Sequence, residues 1–301
     1  MNIKKIGLTA LAGSLVATSA FAGSMTVSGG ASFEVQHVGG GAANSGKAYS
    51  MGNSVTFTGS GELDNGLNVS ISMELDQGAA DGTAGVFDSH SVKVGNDAFG
   101  TLTFSGHGGS SAQSAMDTTA AGDIWNQTLG ITGPTAAASG NDSLYYTLPA
   151  MMDGLAISAS MSPGRAAQET HTSFGLVYTG VEGLTVKYGQ GDSGAPAAEI
   201  ESTTMFASYA IGPITASASY TDADKIGADN RDVTSYQLAY TVSDDLSVTY
   251  GTEEYNTATE VTNAEIESFG ISYTSGGMTL SANTFETTGN GNSATAKTER
   301  W

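Results

Sequence analysis

The sequence predicts an all-β fold, a transmembrane antiparallel β-barrel of sixteen strands. Three observations carry this. Apolar and polar residues alternate with period two along most of the chain. Short turns and long polar loops succeed one another at regular spacing. Past the first residues, no apolar run approaches the roughly 18 residues that a membrane helix needs. A chain that crosses lipid without helices must close its strands, because an open edge finds no partners there.

Residues 1–22 read as a secretory signal peptide. Lys4 and Lys5 give a basic start, Ile6 to Val16 is apolar, and Ala20-Phe21-Ala22 is a small-x-small cleavage site. An amphipathic N-terminal helix is the competing reading, but the order of charge, apolar core and cleavage site favours export. Residues 23–301 are then the barrel domain. They keep eight basic residues against thirty acidic ones, a balance that argues against nucleic acid as a partner, since phosphate binding needs Lys and Arg. With no cysteine, no disulfide staples the exported chain. Only 13% of residues are charged, against about a quarter in soluble domains, and Gly numbers 41.

The strands follow in order. Val55 and Phe57 alternate with Ser54, Thr56 and Thr58. Leu67, Val69, Ile71, Met73 and Leu75 alternate with Asn68, Ser70, Ser72, Glu74 and Asp76. Leu155-Ile157-Ala159-Met161, Leu184-Val186-Tyr188, Ile214-Ala216-Ala218-Tyr220, Tyr236-Leu238-Tyr240, Leu246-Val248-Tyr250 and Phe269-Ile271-Tyr273 repeat the pattern. In a strand the two sets point to opposite faces. Seven tight turns separate pairs of strands, at Asn65-Gly66, Asp97-Ala98-Phe99-Gly100, Asp153-Gly154, Glu182-Gly183, Gly212-Pro213, Asp244-Asp245 and Gly276-Gly277. Seven turns between hairpins imply eight strand pairs. Sixteen strands are wide enough to leave an aqueous channel. Short turns at one end and long loops at the other is the outer-membrane arrangement.

Turn spacing is 34, 54, 29, 29, 33 and 32 residues from Gly66 through Gly277. The one long interval holds an enlarged third loop over about 107–143. The final strand is expected near Ala294. Thr295 to Trp301 lacks apolar alternation, so the sequence is expected to stop partway through the closing strand.

The export signal, the Phe99-Gly100-Thr101-Leu102-Thr103-Phe104-Ser105-Gly106 strand and the Gly-Leu-x-Val/Ile hairpin starts resemble Gram-negative porins of the alphaproteobacterial type. The likeness spans essentially the whole mature chain and rests on the order of elements. It implies a sixteen-stranded general diffusion porin, usually a homotrimer, passing small hydrophilic solutes. It further implies that the loop after the Phe-Gly strand folds into the pore as its constriction. The departure from the family is a missing C-terminal strand ending in Phe.

The third loop contains Asp117, Asp123 and Asp142, with Ile124, Trp125 and Leu129 as apolar anchors and no Lys or Arg from 107 to 142. Asp117, Asp123, Trp125 and Asp142 are the candidate constriction. Carboxylates in a low-dielectric narrowing focus a negative field. An exposed polar loop is the alternative. Glu62, Glu74, Asp76, Lys93 and Lys187 fall on the polar phase of strands and are the candidate pore wall. Arg165, Lys225 and Arg231 read as solvated rim charges.

Asp222 and Asp224, Asp229 and Asp232, Glu253 and Glu254, and Glu265 and Glu267 are placed in or beside long loops. Asp222, Asp224, Asp229 and Asp232 are weak candidates for Ca2+, and bridging to lipopolysaccharide phosphates extends that reading. Apart from such Ca2+, no cofactor is expected. Aromatics such as Tyr49, Tyr145, Tyr146, Phe206, Tyr209, Tyr220 and Tyr273 fit interfacial girdles. His37, His90, His107 and His171 are scattered, and no pattern marks an enzyme.

The function expected is passive diffusion through a channel in the cell outer membrane, with a cation preference from the acidity. The alternative is a secreted structural or adhesive β-protein, a solenoid or sandwich without channel activity. Fractionation with outer membranes and a gel shift on boiling separate the two.

Overall fold

Each strand of this chain has one apolar face and one face of Ser, Thr, Gly and charge. A flat sheet of such strands would leave two raw edges; the chain instead closes. The computed structural model describes residues 24–39, 46–76, 88–127, 131–164, 169–195, 198–225, 230–258, 262–289 and 297–300. The signal segment 1–22 and Leu129, Arg165, Asp229 and Trp301 lie outside the described residues.

Sixteen strands follow in order. They are β1 (Ser24–Gly39), β2 (Gly46–Glu62), β3 (Asn68–Asp76), β4 (Ser89–Asn96), β5 (Gly100–His107), β6 (Ser143–Thr147), β7 (Leu155–Ser162) and β8 (His171–Tyr178). Then come β9 (Leu184–Ser193), β10 (Ile200–Ile211), β11 (Ile214–Lys225), β12 (Arg231–Ser243), β13 (Leu246–Thr257), β14 (Ala264–Ser275), β15 (Met278–Thr288) and β16 (Lys297–Arg300). Every strand pairs antiparallel with its sequence neighbours, and β16 joins β15 to β1, giving a closed barrel. At the seam, β16 pairs with Phe285–Thr288 of β15 and with Val38 and Gly39 of β1. Closure rules out the solenoid and the sandwich.

The registers fix which side chains share a face. One lateral row runs Ser70, Lys93, Thr103, Tyr145, Ser160, Ser173, Gly191, Ser202, Ala223. The adjacent row on the other face runs Ile71, Val92, Phe104, Leu144, Met161, Thr172. The first row touches the third loop, so it faces the lumen. The second face carries the exposed apolar side chains, among them Phe33 at 69% and Leu280 at 68% exposure. That is the order lipid demands: apolar out, polar in.

The turns close as their residues require. Leu63 and Leu67 face each other through a 2.8 Å backbone hydrogen bond, with Gly66 at φ 78° between them. Gly183 repeats this at φ 77°. A side chain at such φ is strained, and glycine is not.

Several expectations are corrected. The strands run further toward the loop end than apolar alternation alone suggested. Asp222 and Asp224, expected in a loop, belong to β11; Asp232 belongs to β12, and Glu253, Glu254, Glu265 and Glu267 lie in β13 and β14 beside the loop that joins them. Polar residues continue the ladder because backbone pairing does not depend on side-chain polarity. Tyr145 and Phe206 are not girdle residues: their registers with Ser160 and with Lys187 place both on the luminal face. Arg231 opens β12 and is not a solvated rim charge, since its Nη1 donates to the Thr132 carbonyl of the third loop at 3.3 Å.

Candidate functional site

The third loop leaves β5 after His107 and returns at Ser143. An antiparallel bridge between Gly109 and Gly140 ties its root, with backbone hydrogen bonds of 3.1 and 2.7 Å. Beyond that root its described partners lie on β7 through β14. A segment touching so many consecutive strands of a closed barrel, all on their polar face, lies inside it.

A loop buried this way must satisfy its own backbone. The wall supplies hydroxyls. Ala112 N–H donates to both Ser160 Oγ and Ser173 Oγ at 2.9 Å. Ala120 N–H donates to Ser219 Oγ at 2.7 Å, and Ala121 N–H to Ser235 Oγ at 2.9 Å. In the other sense Ser202 donates to the Thr135 carbonyl, and Tyr255 OH to the Thr132 carbonyl at 2.6 Å. Gln113 is wholly buried and links both arms of the loop to β10. Its Nε2 donates to Thr204 Oγ1 at 2.9 Å, and its Oε1 accepts Ala137 N–H at 2.8 Å. Glycine makes room where the loop lies flat. A methyl group on Gly189 would sit 3.0 Å from Gln113 Cα, and one on Gly175 would sit 2.6 Å from the Ala112 carbonyl oxygen.

Glu253 is the strongest single attachment. It is 2% exposed, and its carboxylate accepts the Thr119 hydroxyl, the Trp125 N–H at 2.7 Å and the Ser235 hydroxyl. Beside it Ile124 packs with Ala121, Val233, Tyr255, Ala264 and Ile266, and Trp125, Ile131 and Phe285 cover that cluster. The apolar anchors Ile124 and Trp125 thus press the loop onto β12–β14.

The loop acids have distinct settings. Asp123 holds φ 57°, donates its N–H to Thr119 Oγ1 at 2.6 Å and accepts Thr119 N–H at 3.0 Å. Asp117 follows the short 3-10 turn Ser114–Met116. Burial, and then the Asp123 charge, push its carboxyl up to about 6. Asp142 also holds φ 57°, just ahead of β6.

All five wall candidates lie on the luminal phase. Glu62 pairs with Asn68, Asp76 with Ser54, and Glu74 with Thr56 and Ser89, whose hydroxyl donates to Glu74 at 3.2 Å. Lys93 stands between Ser70 and Thr103, across the barrel wall from the strands that hold the loop. Lys187 sits two residues below Gly189, toward the turn end, with its Nζ 4.8 Å from the Phe206 ring centre. The strands thus place Glu74 and Asp76 toward the loop end of β3 and Glu62 and Lys93 toward the turn end of β2 and β4, and leave Lys187 apart. Arg300, which sequence reasoning passed over, also faces the lumen and pairs with Glu34 at 3.3 Å.

The profile of the Gram-negative porin family matches residues 7–293. The chain is a Gram-negative porin. No protein of curated function matches its sequence. Solved structures share the fold at low identity. An anion-selective porin from Comamonas acidovorans superposes with a TM-score of 0.67 at 15% identity, covering 92% of this chain and 98% of that one. A loop L8 deletion variant of OmpT, an outer membrane protein of Vibrio cholerae, gives 0.67 at 14%, covering 93% and 97%. A variant of Rh. blastica porin gives 0.66 at 12%, covering 92% and 97%. The porin is therefore an outer-membrane channel, with its short turns at the periplasmic end and its long loops outside.

The outward face of this porin carries a row of acids, of which Asp222, Asp224, Asp232, Glu254, Glu265 and Glu267 were expected in or beside long loops. At the loop end, registers align Asp192 with Glu201 and Glu201 with Asp224, Asp222 with Asp232, Glu254 with Glu265, and Glu267 with Glu286 and Glu286 with Glu299. Ten carboxylates thus border β9–β16 above the apolar band. The phase was legible: even-numbered Val248 and Tyr250 face lipid, so Glu254 must also face out and Glu253 must face in.

Proposed function

We propose that this porin passes small hydrophilic solutes by passive diffusion through the space between the docked third loop and the β1–β5 wall, and that it favours cations. It acts by conduction, not by catalysis. One observation carries the reading: the charge facing that space. Asp117 and Asp123 lie on the loop side, and Glu74 and Asp76 on the wall side, with Glu62 below them at the turn end. On the luminal phase of β1–β5 and β16 the described bases are Lys93 and Arg300, the latter paired with Glu34; Lys47 and Lys297 fall on the other phase. Most other luminal positions of β1–β5 are Ser, Thr and Gly, with Gln36 and Asn68, and offer hydrogen bonds without charge. Asp142, at the loop's return, adds to the same sign.

Planar-bilayer recording under a salt gradient tests this. A cation-selective reversal potential is expected at low salt, weakening as salt rises. An anion-selective sign at low salt overturns the preference.

The outward face supports two partner assignments. The described outward positions of β1 and β2 carry Met25, Val27, Phe33, Val35, Tyr49 and Met51 and no carboxylate. That surface suits another copy of the chain, as a homotrimer requires. The carboxylate row on β9–β16 suits the lipopolysaccharide leaflet, with Ca2+ bridging its phosphates to carboxylates such as the Asp222–Asp232 pair. Chemical cross-linking through residues of β1 and β2 tests the first assignment.

A further inference from the structure

We propose that His90 and His107 form a binding site for a borderline divalent metal ion of the Zn2+ class, on the outward surface at the root of the third loop. The first observation is a β-bulge. Ser91 pairs with Ser105, but His90 pairs with His107, so Gly106 is the extra residue. Without the bulge, alternation from Thr101, Thr103 and Ser105 would aim His107 into the lumen. With it, His107 turns onto the outward face beside His90, whose other register partner is the outward Met73. Re-aiming a side chain is what bulges do next to functional positions.

The second observation is the fit of the rings. The two imidazoles lie nearly parallel, 12° apart, with centres 6.4 Å from each other. The His90 ring lies over Gly106, where any Cβ would overlap it. The third is the tautomer. His107 Nδ1 hydrogen-bonds the Asp88 backbone carbonyl. A carbonyl oxygen only accepts, so Nδ1 carries the proton and Nε2 holds its lone pair. Metal-binding histidines commonly hold their second nitrogen this way.

Directly paired strand residues have Cα atoms about 4.5–5.5 Å apart. Zinc takes imidazole nitrogen at about 2.0–2.1 Å. Ring centres 6.4 Å apart on paired positions therefore put two imidazole nitrogens within reach of one ion. Among the described residues no third His, Cys, Asp or Glu completes the group, so water fills the remaining positions. Two nitrogen donors select Zn2+, Ni2+ or Cu2+ over Ca2+, which takes oxygen. This separates the site from the carboxylate row on the far half of the barrel.

The test is calorimetric titration of the detergent-extracted porin with ZnCl2 in excess Ca2+, which occupies the carboxylates. One saturable Zn2+ site per chain is expected. His90→Ala and His107→Ala should each weaken it at least about tenfold. In the unmutated porin, Zn2+ should also slow diethylpyrocarbonate modification of His90 and His107, mapped by mass spectrometry. Absence of a saturable site, equal Zn2+ affinity in both variants, or modification at an unchanged rate would each overturn the proposal.

Discussion

The porin's ion selectivity should depend on pH between 5 and 7, and replacing Asp117 with Asn should abolish that dependence. The carboxyl is raised to about 6 by burial first and by Asp123 second. With that midpoint, about nine in ten Asp117 side chains are charged at pH 7 and about one in ten at pH 5. An ion passing roughly 8 Å away in water interacts with one charge by about 0.5 kcal/mol, and salt at 0.1 M screens this to about half. Cation and anion feel opposite signs, so the cation-to-anion permeability ratio should rise about twofold from pH 5 to 7. At 1 M salt, with a Debye length of about 3 Å, the rise should vanish. Reversal potentials across a planar bilayer measure the ratio. In Asp117→Asn the ratio should stay flat. An equal pH response in that variant would refute the assignment of the field to Asp117. The stability sign is also fixed. The folded-state value lies above the ordinary 3.8, so the fold favours the protonated group. That contribution is complete below pH 3.8 and is lost as pH climbs through about 6.

Removing the Glu253 carboxylate as Glu253→Ala orphans the Trp125 N–H and the Thr119 hydroxyl. Each buried orphan costs about 1–3 kcal/mol, so open-channel noise and voltage-induced closure should increase, less so in Glu253→Gln; single-channel traces indistinguishable from the original would contradict the anchoring role. Gly189→Val should push Gln113 and the adjoining loop into the lumen and lower single-channel conductance, with unchanged conductance counting against the close fit. Like charges directly opposite on strands are destabilising, by about 0.2–1 kcal/mol per pair. Glu267→Gln with Glu286→Gln should therefore raise the thermal midpoint in chelator and shrink the gain that Ca2+ gives, and an undiminished gain would remove those two residues from any Ca2+ bridge.

The barrel was legible because both of its requirements are periodic. Lipid demands an apolar residue at every second position, and each hairpin demands a tight turn; both signals repeat along the chain, so strand number and order follow from counting. The ends of the strands were not legible in the same way. Above the apolar band the ladder continues through Asp222, Asp224 and Glu254, where side-chain polarity looks like loop and only backbone pairing marks a strand. The loop acids were visible as a charge pattern, but their attachment was not. Glu253 is separated from Thr119 and Trp125 by more than a hundred residues, and no local pattern links them. Its phase, however, already placed it on the luminal face opposite Glu254. Reading phase through the acid pair would have divided one apparent cluster into a loop anchor and a lipid-facing carboxylate. Tyr145 and Phe206 misled for the same reason, being read by type and not by phase.

The unusual composition has a mechanical cause in the third loop. A loop lying against a wall leaves its amides pointing at that wall, and each needs an acceptor within about 3 Å. A wall of long polar side chains would hold the loop away and hydrate the gap. Ser and Thr at 160, 173, 204, 219 and 235 put an acceptor oxygen one bond beyond Cβ, close enough for the loop to dock directly. Glycines 175, 189 and 251 remove even the Cβ where the loop's backbone or its alanine side chains touch the strands. The abundance of Gly, Ser and Thr that sets this chain apart from soluble domains is thus, on the luminal face of β7–β13, the condition for a fixed loop. The same attachment argues against the loop as a gate. Freeing it would expose a row of unpaired amides along a wall already shaped to receive them. Voltage or solute would then have to overcome many hydrogen bonds together, so on the proposed reading selectivity follows from where the loop's carboxylates are held, not from their movement.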